Sequence, residues 1–199
     1  NAASGGAISV VGAVGQGTSL KTLTLADSNG AVFNAAVTTG TSVVLTDTTD
    51  GQTIRFEGNL STPTLSTTAN GYNVELLGSA TNVSSATTFL NSGTLVLGNG
   101  SGDSLSFAGG LVATAPAAIS AAGTISTNGT VMSLGDASTP LTLSADLTLN
   151  TAGGALTLGG TVNGSNANTE SLTLNAASGG AISVVGAVGQ GTSLKTLTL

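Results

Sequence analysis

Apolar and polar residues alternate along this chain in many short runs that are separated by glycine. The runs are short and place Val, Leu, Ile or Ala at every second position, with Ser, Thr or Asn between them. Period-two alternation is typical of a β-strand that buries one side. No stretch shows a helical periodicity, so the sequence predicts an all-β fold with almost no helix. Clear examples are ISV (8–10), LTL (23–25), VVL (43–45), TIRF (53–56) and LSF (105–107).

A glycine, alone or after Asn, opens each of eight units, and successive start positions differ by 20 to 26, with one exception. A unit of this length with short strands and glycine corners matches one coil of a parallel β-helix, or β-solenoid. The exception runs from Gly93 to Gly129 (129 − 93 = 36) and is either one coil with a loop or two compressed coils. We therefore expect seven to eight coils. The units start at Gly5, Asn29, Gly51, Gly71, Gly93, Gly129, Gly153 and Gly179.

One segment occurs twice: positions 1–25 and 175–199 are identical, so equivalent positions differ by 174 (175 − 1). We interpret 1–174 as one long repeat and 175–199 as the first coil of the next identical repeat, in a continuous solenoid without separate domains. Each end of the chain lies within the pattern. We therefore expect neighbouring copies of the chain, covalently joined or packed end to end, to continue it, and an isolated fragment to aggregate.

Tandem β-sandwiches are the alternative architecture, with two domains of about 87 residues in each 174-residue repeat. The glycine–strand–turn–strand outline recurs at about 24 residues, which is too short for a sandwich. The apolar residues are mostly small, and aromatic residues make up only 3% of the chain. This composition favours a narrow core that extends along an axis, as in a solenoid, and not a thick core built from large rings.

Composition and charge exclude several functions. The net charge is −6 and the only basic residues are Lys21, Arg55 and Lys195, so there is no basic surface for a nucleic acid. No run approaches the ~18 apolar residues of a membrane helix, and we expect no membrane insertion. The chain has no His and no Cys, which excludes Ser-His-Asp and Cys-His catalysis and His or thiolate metal sites. We expect neither an enzyme nor a resident cofactor.

Carboxylates are the remaining candidates for chemistry. Asp47 and Asp50 flank a threonine-rich turn, and Arg55 and Glu57 follow within one strand. A carbohydrate-binding or polysaccharide-processing β-helix would use Asp47, Asp50 and Glu57 for binding or acid–base work. Such sites concentrate several acids beside aromatic platforms, which this chain lacks. We therefore favour a solvated corner with a surface pair between Arg55 and Glu57.

A second candidate is the segment GNGSGDSLS at 98–106, which is similar to the calcium-binding nonapeptide GGxGxDxUx of repeats-in-toxin proteins. Asp103 stands at the acidic position and Leu105 at the apolar one. The segment departs from the motif at Asn99 and Ser101, and no second copy follows to complete the ligands. Asp103 is therefore a weak calcium candidate, and a glycine-rich turn is the interpretation that we favour.

Threonine pairs at 38–39, 48–49 and 67–68 are expected to face outward. A flat, regular threonine array would suit ice binding. The uneven coil lengths argue against such an array.

The segments SLTLNAASGGAISVVGAVGQGTSLKTLTL (171–199) and LTLNTAGGALTLGGTVNGSN (147–166) resemble the low-complexity repeats of giant bacterial surface proteins. These are the filamentous-haemagglutinin-like and autotransporter-type adhesins. The resemblance implies a right-handed β-helix that is secreted to the cell surface or exterior as a filament, sheath, adhesin stalk or biofilm matrix. It implies neighbouring copies, and host or cell-surface glycans, as partners. No binding residue carries over, because the repeats of these proteins act as spacers.

Overall fold

The computed structural model describes residues 5–199 and shows a parallel β-solenoid. All pairings between its 21 strands are parallel. This part of the chain forms no helix, and so none that is long and apolar enough to cross a membrane. The strands are β1 Ile8–Val10, β2 Leu20–Leu25, β3 Ala31–Phe33, β4 Val37–Leu45, β5 Thr53–Phe56, β6 Leu60–Thr62, β7 Thr64–Thr67, β8 Asn73–Leu76, β9 Ala80–Val83, β10 Thr87–Thr88, β11 Thr94–Leu97, β12 Ser104–Phe107, β13 Leu111–Ala113, β14 Ala118–Ser126, β15 Met132–Leu134, β16 Leu141–Asn150, β17 Leu156–Leu158, β18 Val162–Gly164, β19 Ser171–Asn175, β20 Ile182–Val184 and β21 Thr196–Thr198.

Each coil passes through three faces and places one strand, or one part of a long strand, on each face. We call each such place a strand position. Face 1 runs through β1, β3, β5, β8, β11, the first parts of β14 and β16, and β18. Face 2 runs through the first part of β4, β6, β9, β12, the second parts of β14 and β16, β19 and β21. Face 3 runs through β2, the second part of β4, β7, β10, β13, β15, β17 and β20.

The paired residues along face 1 measure the coils directly. Each residue in this series lies one coil after the previous one, and the residue number rises by between 20 (54 to 74) and 26 (162 to 188) at each step. Eight steps give eight coils, which confirms the predicted fold, coil length and coil number. The series is Ile8, Ala31, Ile54, Val74, Leu95, Ile119, Leu141, Val162 and Val188.

The long unit between Gly93 and Gly129 is neither one coil nor two. It contains β11, β12, β13 and both parts of β14, which occupy faces 1, 2, 3, 1 and 2 in turn. The unit is therefore one and two-thirds coils, and both of the predicted alternatives are wrong. As a result, the glycine corners precede face 1 as far as Gly93 and face 3 from Gly129 onward.

Inward Leu, Ile and Val side chains form rows that fill the core. Burial of each such side chain contributes about 1.5–3 kcal/mol. The expectation of a core without large rings is wrong for the coils between Phe33 and Phe107. Phe33 and Phe56 stack with their ring centroids 4.8 Å apart, and Phe89 meets Phe107 edge to face at 6.2 Å. All five aromatic side chains are buried, namely Phe33, Phe56, Tyr72, Phe89 and Phe107.

One threonine of each predicted outward pair is buried, so that prediction is wrong. Thr39, Thr48 and Thr67 point into the corners of the coils. The Thr39 hydroxyl donates to the Thr62 hydroxyl at 2.7 Å, and the Thr48 hydroxyl donates to a backbone carbonyl. A buried hydroxyl is tolerated when it is hydrogen-bonded, as these are. The pairs therefore stabilise corners and do not form a flat outer array.

Candidate functional site

The three acids predicted for a carbohydrate site lie at two different corners. Asp47 and Asp50 belong to the turn from β4 on face 3 to β5 on face 1, whereas Glu57 follows β5 at the corner toward face 2. Asp50 Oδ1 accepts a hydrogen bond from the Gly71 amide at 3.1 Å, and Glu57 Oε2 accepts one from Asn34 Nδ2 at 2.9 Å. Face 1 therefore separates the acids. Within residues 5–199 no three acidic side chains are grouped so as to hold a metal ion.

Arg55 pairs mainly with an acid that sequence reasoning missed. Its Nε lies 2.5 Å from Glu75 Oε2 on the next coil, and its Nη1 lies 3.8 Å from Glu57 Oε1. The hydrogen bond to Glu75 is the main reason that the pKa of Arg55 is raised. The Arg55 side chain is 40% exposed, so the pair contributes less than about 1 kcal/mol. The coil spacing could have revealed Glu75, because the difference of 20 between positions 55 and 75 is one coil.

Asp103 closes the loop between β11 and β12. Its Oδ2 accepts hydrogen bonds from the amides of Asn99 at 2.8 Å and Gly100 at 2.9 Å. Two N–H groups that point at one carboxylate oxygen are the geometry of a tight turn. This arrangement supports the glycine-rich turn, and calcium binding by Asp103 stays a prediction.

Glu170 is a buried acid for which the sequence gives no signal. It lies between β18 and β19 and is 3% exposed. Its Oε1 accepts a hydrogen bond from the Ser165 hydroxyl at 2.7 Å, and its Oε2 accepts one from the Asn166 amide at 3.2 Å. The Ser165 bond is the main reason that the pKa of Glu170 is lowered, against the opposing effect of burial. The Glu170 carbonyl also accepts a bond from the Lys195 amide, which anchors the last coil.

The two copies of the repeated segment are paired along opposite edges: the first with the coil that follows it, the second with the coil that precedes it. In the first copy, β1 pairs with β3 on the coil that follows it, and Ile8 lies opposite Ala31. In the second copy, β20 pairs with β17 on the coil that precedes it, and Ile182 lies opposite Leu156. Together the copies reveal how this segment binds a neighbour on each side.

In the first copy, the residues at even positions from 6 to 14 bond to the following coil. The Ile8 amide donates to the Gly30 carbonyl at 3.0 Å, and the Val14 amide donates to the Ala36 carbonyl at 2.9 Å. In a parallel strand, each residue directs its N–H and its C=O to the same neighbouring strand, and successive residues alternate between the two neighbours. The odd positions of this part of the segment therefore point toward a preceding coil.

The second copy uses those odd positions. The Val185 amide donates to the Leu158 carbonyl at 2.9 Å, and the Gly189 amide donates to the Val162 carbonyl at 2.7 Å. Subtracting 174 places these donors at positions 11 and 15 of the segment. Between positions 6 and 15 the two sets of backbone groups do not overlap, so this part of the segment can bind a coil on each side at the same time. Nearer the end of the segment, odd positions serve both edges: the Leu25 carbonyl accepts a bond from Thr46 of the following coil, and Lys195, at position 21, donates to Glu170 of the preceding coil.

The apolar surface of the described residues is concentrated in this segment. Of the eight large apolar side chains that are exposed, six belong to its two copies. Val11 and Val185 occupy the same position and point outward in both copies, being 76% and 68% exposed. The others lie on the first and last coils of residues 5–199. The six are Val11, Leu20, Ile182, Val185, Leu197 and Leu199.

No protein-family model, curated protein or solved structure matches this chain. The β-solenoid fold and the two edges of the repeated segment are therefore what supports an assignment of function.

Proposed function

We propose that this chain is a structural repeat of an extracellular bacterial filament, sheath or adhesin stalk. Identical copies are joined in a giant chain or stacked end to end. The observation that carries the proposal is the pair of complementary edges of the repeated segment. A segment whose positions 6–15 bind one coil through even positions and another through odd positions fits the interior of a longer solenoid.

The mechanical properties of such a filament follow from the fold. Backbone hydrogen bonds run parallel to the axis, and rows of Leu, Ile and Val continue from coil to coil. Each coil contacts only its neighbours, so length is set by the number of copies. A further copy also covers the apolar side chains of the end coils. Burial of this surface, at roughly 25 cal/mol per Å², drives the addition.

The extracellular setting rests on the resemblance of residues 147–166 and 171–199 to adhesin repeats. We propose from it a secreted, right-handed solenoid at the cell surface, with neighbouring copies and surface glycans as partners and no enzymatic activity. Asp47 and Asp50 lie at one corner and Glu57 at the next, with face 1 between them, and no observation favours carbohydrate processing over the structural role.

The test compares two adjacent residues of the last coil. Val184 packs against the core, whereas Val185 is 68% exposed. Val184→Asp places a charge on the surface that the next copy must cover, and Val185→Asp places the same charge outside it. We expect the wild-type chain and Val185→Asp to form filaments in negative-stain electron microscopy and sedimentation, and Val184→Asp to remain short. Circular dichroism confirms that each variant is folded. A wild-type chain that stays monomeric at high concentration, or equal assembly of both variants, contradicts the proposal.

A further inference from the structure

The two identical copies of the segment lie on different faces of the solenoid. Residues 8–10 pair on face 1, but residues 182–184, which have the same sequence, pair on face 3. Val14 forms a bridge with Val37 on face 2, but its equivalent Val188 forms a bridge on face 1. Both parts of the segment have therefore moved by one face.

The third part of the segment moves in the same sense. Leu23 lies opposite Val43 on face 3, whereas its equivalent Leu197 lies opposite Leu172 on face 2. Because all three parts move together, the segment has rotated as a unit about the axis. A slip of one strand would have moved one part alone.

The number of strand positions gives the size of the rotation. Eight coils separate Ile8 from Val188. With three faces, eight coils contain 24 strand positions. Ile182 lies one strand position before Val188. The 174-residue offset therefore spans 23 positions (24 − 1), or seven and two-thirds coils. A repeat with a whole number of coils would have returned Ile182 to face 1.

We infer that successive 174-residue copies are rotated by one-third of a turn about the filament axis, so that three copies restore the starting orientation. This rests on the proposed function, since it requires copies to continue one another. Three copies make 23 whole coils, because three times seven and two-thirds is 23. With about 4.8 Å between stacked strands, one copy advances about 37 Å and the full period is about 110 Å. This one-third turn is counted from face to face, and the twist of the coils, which turns the faces themselves, is separate from it.

The one-third offset arises in the long unit between Gly93 and Gly129. β14 passes from face 1 to face 2 at Gly123 with no intervening loop. Gly123 has φ of +78°, and a Cβ there would clash with the Asp103 carbonyl oxygen. Strands β11, β12 and β13 form a complete coil of this unit. The corner at Gly123 lets β14 supply two further strand positions. Up to this unit the glycine corners precede strands of face 1, and after it they precede strands of face 3.

The rotation distributes the outward groups of each copy over the three sides of the filament. An outward group such as the Arg55–Glu75 pair on face 1 of one copy recurs on each of the other faces in the next two copies. All three sides then carry the same chemistry. A partner along one straight side meets a given group every ~110 Å, not every ~37 Å.

Introduced thiols test the rotation in the 199-residue chain itself, which has no Cys. Ser183 lies opposite Thr157 on face 3. Without the rotation it would take the place of Ser9 on face 1, next to Asn163 of β18. We expect a short bifunctional thiol reagent to crosslink Thr157→Cys with Ser183→Cys, and not Asn163→Cys with Ser183→Cys. Crosslinking of the second pair, or of both equally, overturns the inference. Circular dichroism of the single variants shows whether each is folded.

Fibre diffraction or helical reconstruction of the filaments separates this inference from the proposed function. Axial order at about 4.8 Å, a meridional reflection near 37 Å and layer lines at about 110 Å support both. Axial order at about 4.8 Å with a period of about 37 Å and no rotation overturns the inference and keeps the filament. Absence of the axial strand spacing overturns the filament, and the thiol pairs then decide the rotation alone.

Discussion

Ile8 and Ile182 are the same residue of one repeated segment, yet Ile8 pairs with Ala31 on face 1 and Ile182 pairs with Leu156 on face 3. The three faces of the coil are equivalent enough that one sequence fits two of them. Its face is set by the number of strand positions before it, not by its own residues.

Removing the first copy of the segment should promote assembly. A chain of residues 26–199 leaves the edges of β3 and β4 uncovered, and residues 175–199 of another molecule have the sequence that covers them. Since each coil contacts only its neighbours, the remaining coils should stay folded. We expect longer filaments than those of the full chain in electron microscopy and sedimentation.

The control for this truncation is a peptide of residues 1–25, which should compete for the same edge and shorten the filaments. A scrambled peptide should have no effect. Equal lengths with both peptides would show that the segment does not direct the assembly.

Gly123→Ala should destabilise the corner that produces the one-third offset. The positive φ alone costs a residue with a Cβ about 1–3 kcal/mol, and the close approach to the Asp103 carbonyl adds to it. Gly102→Ala is the matched control, since a Cβ there has no neighbour within 4 Å. The free energy of unfolding in urea measures both. Equal stability of the two variants would contradict this role of Gly123.

Leucine-to-alanine changes should distinguish the core from the surface. Leu97 is fully buried, and Leu97→Ala should lower the free energy of unfolding by about 2–5 kcal/mol through lost burial and a cavity. Leu90 is 44% exposed, and Leu90→Ala should cost about 0.5 kcal/mol or less. Denaturant titration under identical conditions compares them, and a larger loss at Leu90 would contradict the assigned orientation of the two side chains.

Glu170 should make the chain less stable in acid. Its pKa in the folded chain is lowered below the usual value of 4.5, so its contribution is complete above pH 4.5 and is lost as the pH falls through the lowered pKa. We expect Glu170→Gln to reduce the Tm at neutral pH, and the difference from wild type to shrink below about pH 4.5.

Ser165→Ala is the matching variant, since it removes the hydroxyl that contributes most to this shift. It should make the acid-dependent loss of Tm smaller. A difference between wild type and Glu170→Gln that does not change with pH would contradict the assignment.

Asp103 should act through its hydrogen bonds and not through calcium. Asparagine retains an oxygen that can accept from the amides of Asn99 and Gly100, so Asp103→Asn should change the Tm little. Asp103→Ala removes both bonds, and because water can reach these amides the cost should be about 0.5–1.5 kcal/mol. A chelator should not change the Tm of the wild-type chain. A rise in Tm with added calcium that is lost in Asp103→Asn would instead establish a metal site.

Much of the fold could be predicted because its signals are local. Period-two alternation and glycine corners predicted the strands, the coil length and the β-solenoid. The turn at Asp103 could also be predicted, because its partners Asn99 and Gly100 are close to it in the sequence. Such features depend on the preferences of a few adjacent residues, which the sequence by itself determines.

Only the tertiary structure decided what lies one coil away. Three such features depend on the lengths of the intervening loops. Arg55 pairs mainly with Glu75 and not with Glu57, Thr39 is buried beside Thr62, and Glu170 is buried. The one-third offset of the repeat also depends on the folded path. It arises because the unit between Gly93 and Gly129 fills five strand positions, a number that its length and glycine pattern do not specify, so the face of an identical segment becomes known only when the whole path is folded.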